Sequence, residues 1–248
     1  MLCLTTCFQL GPLFSIHYRC LSNIWGLSEI QRYVSTTITL FGIAYALLLV
    51  LGLVGQVQCV NGQCWSAHHC SQFGFFLSVT CFSCKTISDS YEAFLDVPLD
   101  IKAVSSLTAG LEGFVTPEYL DGDNCFKCNK CKKNVAASKR FTVHCAPKVL
   151  TVCLKRFDCF TGGKISKVVE YPEYLDLRPY MSQADGEPLH YSLYAVLVHS
   201  GVSCHGGHYF CYAKASNGLW YQMDDESVEL CCIDTALRQR AYLLFYAR

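Results

Sequence analysis

His208 follows two glycines, Gly206 and Gly207, and leads into the aromatic run Tyr209-Phe210-Cys211-Tyr212. Residues without a side chain leave space around an imidazole and let another backbone come close. Ser216-Asn217-Gly218 then has turn composition, and Leu219-Trp220-Tyr221-Gln222-Met223 reads as a returning strand. In such a hairpin Asp224, at the tail of the second strand, finishes beside His208 at the head of the first. A carboxylate placed there could hold one ring nitrogen and leave the other free to act as a base. The same spacing also suits a plain hairpin with a histidine at its edge.

The cysteines offer a second chemistry. Cys81-Phe82-Ser83-Cys84 is one C-x-x-C, and Cys125-Phe126-Lys127-Cys128-Asn129-Lys130-Cys131 supplies another cluster. Two such knuckles put four thiolates on tight turns whose amides can point at sulfur, which suits tetrahedral zinc. From spacing alone the second pair is either Cys125 with Cys128 or Cys128 with Cys131. The remaining cysteines of the eighteen show no regular spacing, which points to a reducing compartment rather than a disulfide framework. Free, partly buried cysteines are the alternative reading.

The elements that would position these residues lie in a chain of two characters. Its 248 residues carry a net formal charge of zero, which gives no support to nucleic-acid binding. Only Arg19, Glu29 and Arg32 are charged before Lys85. Residues 1–78 are apolar and without motif, and Thr37 to Gln56 has the length and composition of a transmembrane helix. The arginines before that span would leave the C-terminal section outside the cytosol. The alternative is that this section was joined upstream by an irregular transcript or gene model. From Val79 onward the pattern is that of a folded domain. Strands are expected over Tyr91–Leu99, Lys139–His144, Lys148–Phe157 (with a basic end), Tyr174–Leu177, Leu189–Ser200 and Ala241–Tyr246. A short helix is expected over Ser105–Phe114, capped by Ser105 or Ser106. The class is therefore α+β, with a mainly antiparallel sheet. His199, on the strand before the hairpin, reads as a structural hydrogen-bonding residue.

From Val79 to Arg248 the chain resembles the C-terminal part of a ubiquitin-specific protease catalytic domain. The resemblance is carried by the paired knuckles, Val149-Leu150-Thr151-Val152-Cys153-Leu154-Lys155-Arg156-Phe157, Tyr191 to Gly201, Gly206-Gly207-His208-Tyr209-Phe210-Cys211-Tyr212 and Trp220-Tyr221-Gln222-Met223-Asp224-Asp225. It implies a hand-shaped, papain-like α+β fold: a zinc-bearing fingers sheet, a palm sheet that grips ubiquitin, and a helical thumb that carries the nucleophilic cysteine. It further implies a cysteine-type deubiquitinase, nuclear or cytoplasmic, acting on ubiquitin and ubiquitinated proteins. Carried over by position, Cys81, Cys84, Cys128 and Cys131 are the zinc ligands and Cys125 a bystander. His208 is the general base and Asp224 its orienting partner. The family's Asn- and Gly-rich cysteine box does not appear in these 248 residues, so most of the thumb is missing. Thr6-Cys7-Phe8-Gln9 matches three residues of that box, and Cys7 is the weak candidate for nucleophile. The expectation is a chain with base, carboxylate and zinc site but no nucleophile, inactive alone. The alternative is a non-catalytic fragment that binds ubiquitin.

Overall fold

A computed structural model describes residues 73–248, apart from residues 95, 159–161 and 205. The candidate span Thr37 to Gln56 and Cys7 lie outside the described residues. Among the described residues no helix is long and apolar enough to cross a membrane. In chain order the elements are β1 (Phe73–Cys81), β2 (Ile87–Phe94), β3 (Val97–Leu99), α1 (Leu107–Val115), β4 (Glu118–Leu120), β5 (Phe126–Cys128), β6 (Lys133–Val135) and β7 (Ala137–Cys145). They continue as β8 (Val149–Leu154), β9 (Tyr174–Asp176), β10 (His190–Ser203), β11 (Gly206–Lys214), β12 (Trp220–Asp224), β13 (Ser227–Cys231), α2 (Ile233–Leu237) and β14 (Ala241–Ala247). β1 opens before Val79, so the folded part reaches into the apolar section.

The strands build a four-stranded sheet in the order β2-β1-β7-β4 and a large sheet in the order β13-β12-β11-β10-β14-β8-β3, with β9 also paired to β10. A small ribbon of β5 and β6 stands apart. Every pair is antiparallel except β3 with β8. β10 is the central strand of the large sheet. Ala195 to His199 are all buried, because both faces of that strand are covered, and this accounts for the unbroken apolar run in the sequence.

Helix α1 joins the two sheets. Ser106 is extended (φ −139°, ψ 157°), and its Oγ accepts the Ala109 N–H at 3.2 Å, which settles the cap between the two serines. The Leu107 N–H, another orphan of the first turn, reaches the Glu170 carbonyl at 2.7 Å. Leu107, Gly110 and Leu111 face inward, with Gly110 close against Leu99 of β3, while Phe114 meets Phe75 and Phe141 of the four-stranded sheet. Removing the cap with Ser106→Ala is expected to cost about 1 kcal/mol. A lowered urea midpoint with an unchanged slope is the expected signature, and an unchanged midpoint would contradict it.

Three expectations are corrected. The single strand Tyr91–Leu99 is two strands in different sheets. Pro98 has no N–H to give an antiparallel ladder, and β3 runs instead along the edge of the large sheet beside β8. β13 and α2 were not anticipated. The strand expected to run to a basic end at Phe157 stops at Leu154, just before the basic pair. Alternation along the strand turns Leu154 and Arg156 inward and leaves Lys155 outside. Arg156 is fully buried, and its guanidinium is held by the carbonyls of Ala241, Ile165 and Lys167.

Candidate active site and metal centre

The expected hairpin is formed by β11 and β12, with Lys214 opposite Trp220 and Cys211 opposite Met223. Its turn is closed by the Ala215 N–H to the Leu219 carbonyl (2.9 Å) and by the Asn217 side chain accepting the Leu219 N–H (3.0 Å). Gly218 takes the left-handed φ of +80° that the turn requires. The register puts His208, Phe210 and Tyr212 on the same face as Trp220, Gln222 and Asp224, and Tyr212 donates to Gln222 at 3.0 Å. Continued by one step, the register sets Asp224 opposite Phe210, so the carboxylate meets His208 on the diagonal. Beyond Asp224 the chain reverses through Asp225 and Glu226 into β13, with Asp225 left-handed at φ 49°.

His208 Nε2 is hydrogen-bonded to Asp224 Oδ1, and both side chains remain partly open to solvent, at 47% and 36%. The bond to Asp224 raises the His208 pKa above its ordinary value; partial desolvation works against this, and the charges of Asp224 and Asp225 add to it. With Nε2 engaged, Nδ1 is the nitrogen left to exchange a proton. A thiol brought to Nδ1 would meet an imidazole whose protonated form is stabilised, and an adjacent imidazolium lowers a thiol's pKa. The arrangement can therefore serve as the base half of a thiol-based hydrolytic site.

The cysteine cluster is equally defined. Cys81, Cys84, Cys128 and Cys131 place their Sγ atoms within 4.8 Å of one another, with Cys81 to Cys131 at 3.9 Å and Cys84 to Cys128 at 3.7 Å. A tetrahedron with metal–sulfur bonds of about 2.3 Å has edges of about 3.8 Å, so these sulfurs fit an ion of that size. The two knuckles repeat one geometry. In each, the second cysteine's N–H points at the first sulfur, Cys84 to Cys81 at 3.5 Å and Cys131 to Cys128 at 3.4 Å. The lysine that follows is left-handed in both, Lys85 at φ 58° and Lys132 at φ 56°, and its N–H returns to the first cysteine's carbonyl. Thiol acidity separates accordingly. The hydrogen bond with the Thr86 hydroxyl first of all lowers Cys84 to about 6, while Cys131 is raised to about 12, chiefly by its contact with Cys84. Four sulfurs this close cannot all ionise without a cation among them. Cys125 is outside the cluster, so the second knuckle is Cys128 with Cys131.

Residues 113–246 match the family model for ubiquitin carboxyl-terminal hydrolase. The chain belongs to this family. Human ubiquitin carboxyl-terminal hydrolase 42 is 56% identical over 202 residues, a match covering 78% of this chain and 15% of that protein. Human ubiquitin carboxyl-terminal hydrolase 17 is 48% identical over 187 residues, covering 75% of this chain and 33% of that one. The chain thus spans a third or less of the length of these relatives. Among solved structures, a chain of the SAGA Ubp8/Sgf11/Sus1/Sgf73 DUB module bound to ubiquitin aldehyde superposes with a TM-score of 0.65 at 30% identity, covering 75% of this chain and 43% of its own. A yeast SAGA DUBm structure gives 0.66 at 31%, with shares of 75% and 43%. The mainly antiparallel α+β fold expected from the motifs is therefore that of this hydrolase family.

Within the hydrolase fold the β11–β12 hairpin unites His208 and Asp224, and the two knuckles gather the four cysteines, as their motifs suggested. The sequence reading missed Thr86 beside Cys84 and the left-handed lysines. The latter had a visible signal, since both knuckles read C-x-x-C-K. It also missed Asp225, whose charge acts on His208 from the first position of the turn after β12.

Proposed function

We propose that this chain supplies the palm and fingers of a cysteine-type deubiquitinase, with His208 as general base, Asp224 as its orienting carboxylate, and zinc held by Cys81, Cys84, Cys128 and Cys131. The observation that carries the reading is the engagement of His208 Nε2, rather than Nδ1, by Asp224 at the end of the hairpin. In the reaction a thiolate attacks the isopeptide carbonyl at the ubiquitin C-terminus. The Nδ1 proton then passes to the departing lysine amine, and the imidazole next draws a proton from the water that releases ubiquitin from sulfur. Asp224 keeps the ring in one orientation and stabilises its charged form. The zinc has a structural part, closing the fingers tip. Ubiquitin and ubiquitinated proteins are the partners of this reading, and the thiolate cluster fits a reducing compartment such as cytosol or nucleus.

The family's cysteine box is absent from these 248 residues, so the activity resides in a form that brings a nucleophile to His208. A ubiquitin probe with a C-terminal thiol-reactive group separates the two halves of the reading. Noncovalent retention of ubiquitin without a covalent adduct is expected. Failure to retain ubiquitin would overturn the gripping role, and an adduct that disappears with Cys7→Ser would make Cys7 the nucleophile.

A further inference from the structure

The strand pair that delivers His208 is interrupted just before it. Ser200 lies opposite His208 and Ser203 opposite Gly206, so Gly201 and Val202 face the single residue Gly207. This is a β-bulge, a device that re-aims the side chain beside it. The ring of His199 fills the inside of the bulge. A Cβ on Gly207 would lie 2.4 Å from His199 Nε2 and 2.4 Å from the Ser200 carbonyl; one on Gly201 would lie 2.8 Å from His199 Cε1 and 2.7 Å from the Gly206 carbonyl. Both glycines also have positive φ, +157° at Gly201 and +151° at Gly207. The ring therefore lies flush against the backbone that leads into His208.

His199 is itself fixed from several sides. It is buried, with 3% exposure, and its ring meets Phe157 edge-on at 5.1 Å and Tyr209 at 4.6 Å. Its carbonyl accepts the Lys164 ammonium, and Lys164 belongs to a turn that pairs with the far edge of β10 through Gly163 and Ser203. The ring bonds to the Gly206 carbonyl, whereas Nδ1 is buried without a hydrogen-bond partner among the described residues. A proton on Nδ1 would be a buried donor left unpaired, so the neutral ring with its proton on Nε2 is the form that fits. Burial first, and then the Lys164 charge, lower the His199 pKa, which keeps the ring neutral.

We propose that His199 is a positioning residue for the His208 base: its ring braces the bulge at Gly201-Val202 against Gly206-Gly207 and thereby sets His208 over Asp224. This rests on the role proposed above for His208. It builds on the expectation of a structural hydrogen-bonding histidine, since what the ring holds is the path of the next strand.

The test is a titration of the full 248-residue chain labelled with 15N-histidine, followed by long-range 1H–15N correlation. In the unsubstituted chain His199 is expected to remain neutral and Nε2-protonated throughout the range in which His208 titrates. Asp224→Asn should return the His208 midpoint toward the ordinary histidine value, and if it does not, the dyad itself is refuted. His199→Leu should produce most of the same fall with Asp224 intact. His199→Gln, whose amide N–H can reach Gly206, should recover part of it. A folded His199→Leu chain with an unmoved His208 midpoint, alongside an Asp224→Asn chain that does shift, overturns the positioning role and spares the dyad. If His199→Leu does not fold, the unsubstituted chain decides: a His199 that titrates with His208, or that carries its proton on Nδ1, overturns the proposal.

Discussion

Replacing Cys128 and Cys131 together by serine is expected to abolish zinc binding and melt the tip of the four-stranded sheet while the large sheet stays folded. The reason is the poverty of the core at that end. The local cluster there consists of buried Cys81, Cys128 and Val135 with Cys84, Phe126 and Cys131 packed around them, so sulfur is most of what the tip buries. Structural tetrathiolate zinc contributes on the order of 10 kcal/mol to folding in small domains, far beyond what a few partly buried side chains supply. The main core is separate and extensive, running from Phe75 and Val97 to Leu244 and Tyr246. One zinc per chain by metal analysis after native purification is expected to become none. Rapid proteolysis between β4 and β7, with the near-ultraviolet signal of the large sheet retained, is the structural counterpart. Stoichiometric zinc in the double variant would refute the assignment of these ligands.

The second large effect concerns turnover. The chain of 248 residues alone is expected to leave a fluorogenic ubiquitin C-terminal substrate uncleaved, so that His208→Ala and Asp224→Ala change nothing in that assay. Joined to a cysteine box and thumb helices of its own family upstream of Phe73, where β1 begins, it should gain turnover that either substitution lowers by about 10³-fold or more, since members of such a unit do not act additively. The two substitutions should also differ in pH behaviour. Asp224 raises the His208 pKa, so without it the ring loses its proton at lower pH and the thiolate–imidazolium pair fails earlier on the alkaline side. Turnover by the chain as it stands that vanishes with Cys7→Ser would contradict this account.

The hairpin, the knuckles and the long central strand were legible because each is written in local chemistry. Ser216-Asn217-Gly218 can hardly be anything but a turn, and the apolar run before His199 needs cover on both faces. What was not legible depends on partners distant in sequence. Arg156 resembles the charged end of a strand until the Ala241 carbonyl, in the last strand, is brought to its guanidinium. The break after Phe94 follows from two sheets competing for one stretch, and only the Pro98 imide hinted at it. β13 was obscured by its polarity: Ser227 and Glu229 alternate with exposed Val228 and Leu230, so the strand has no buried face to announce it. His199 was placed on the right strand, but its role depends on a bulge that spacing does not reveal.

The position of β14 also bears on how the chain is made. It is the last described strand to leave the ribosome, yet it sits between β10 and β8 in the middle of the large sheet. Until Ala247 emerges, β8 and β10 have no strand to join them, and the Arg156 side chain lacks its Ala241 carbonyl. The sheet that carries His208 therefore closes only after nearly the whole described region has been synthesised, and loss of β14 would remove its middle rather than its margin.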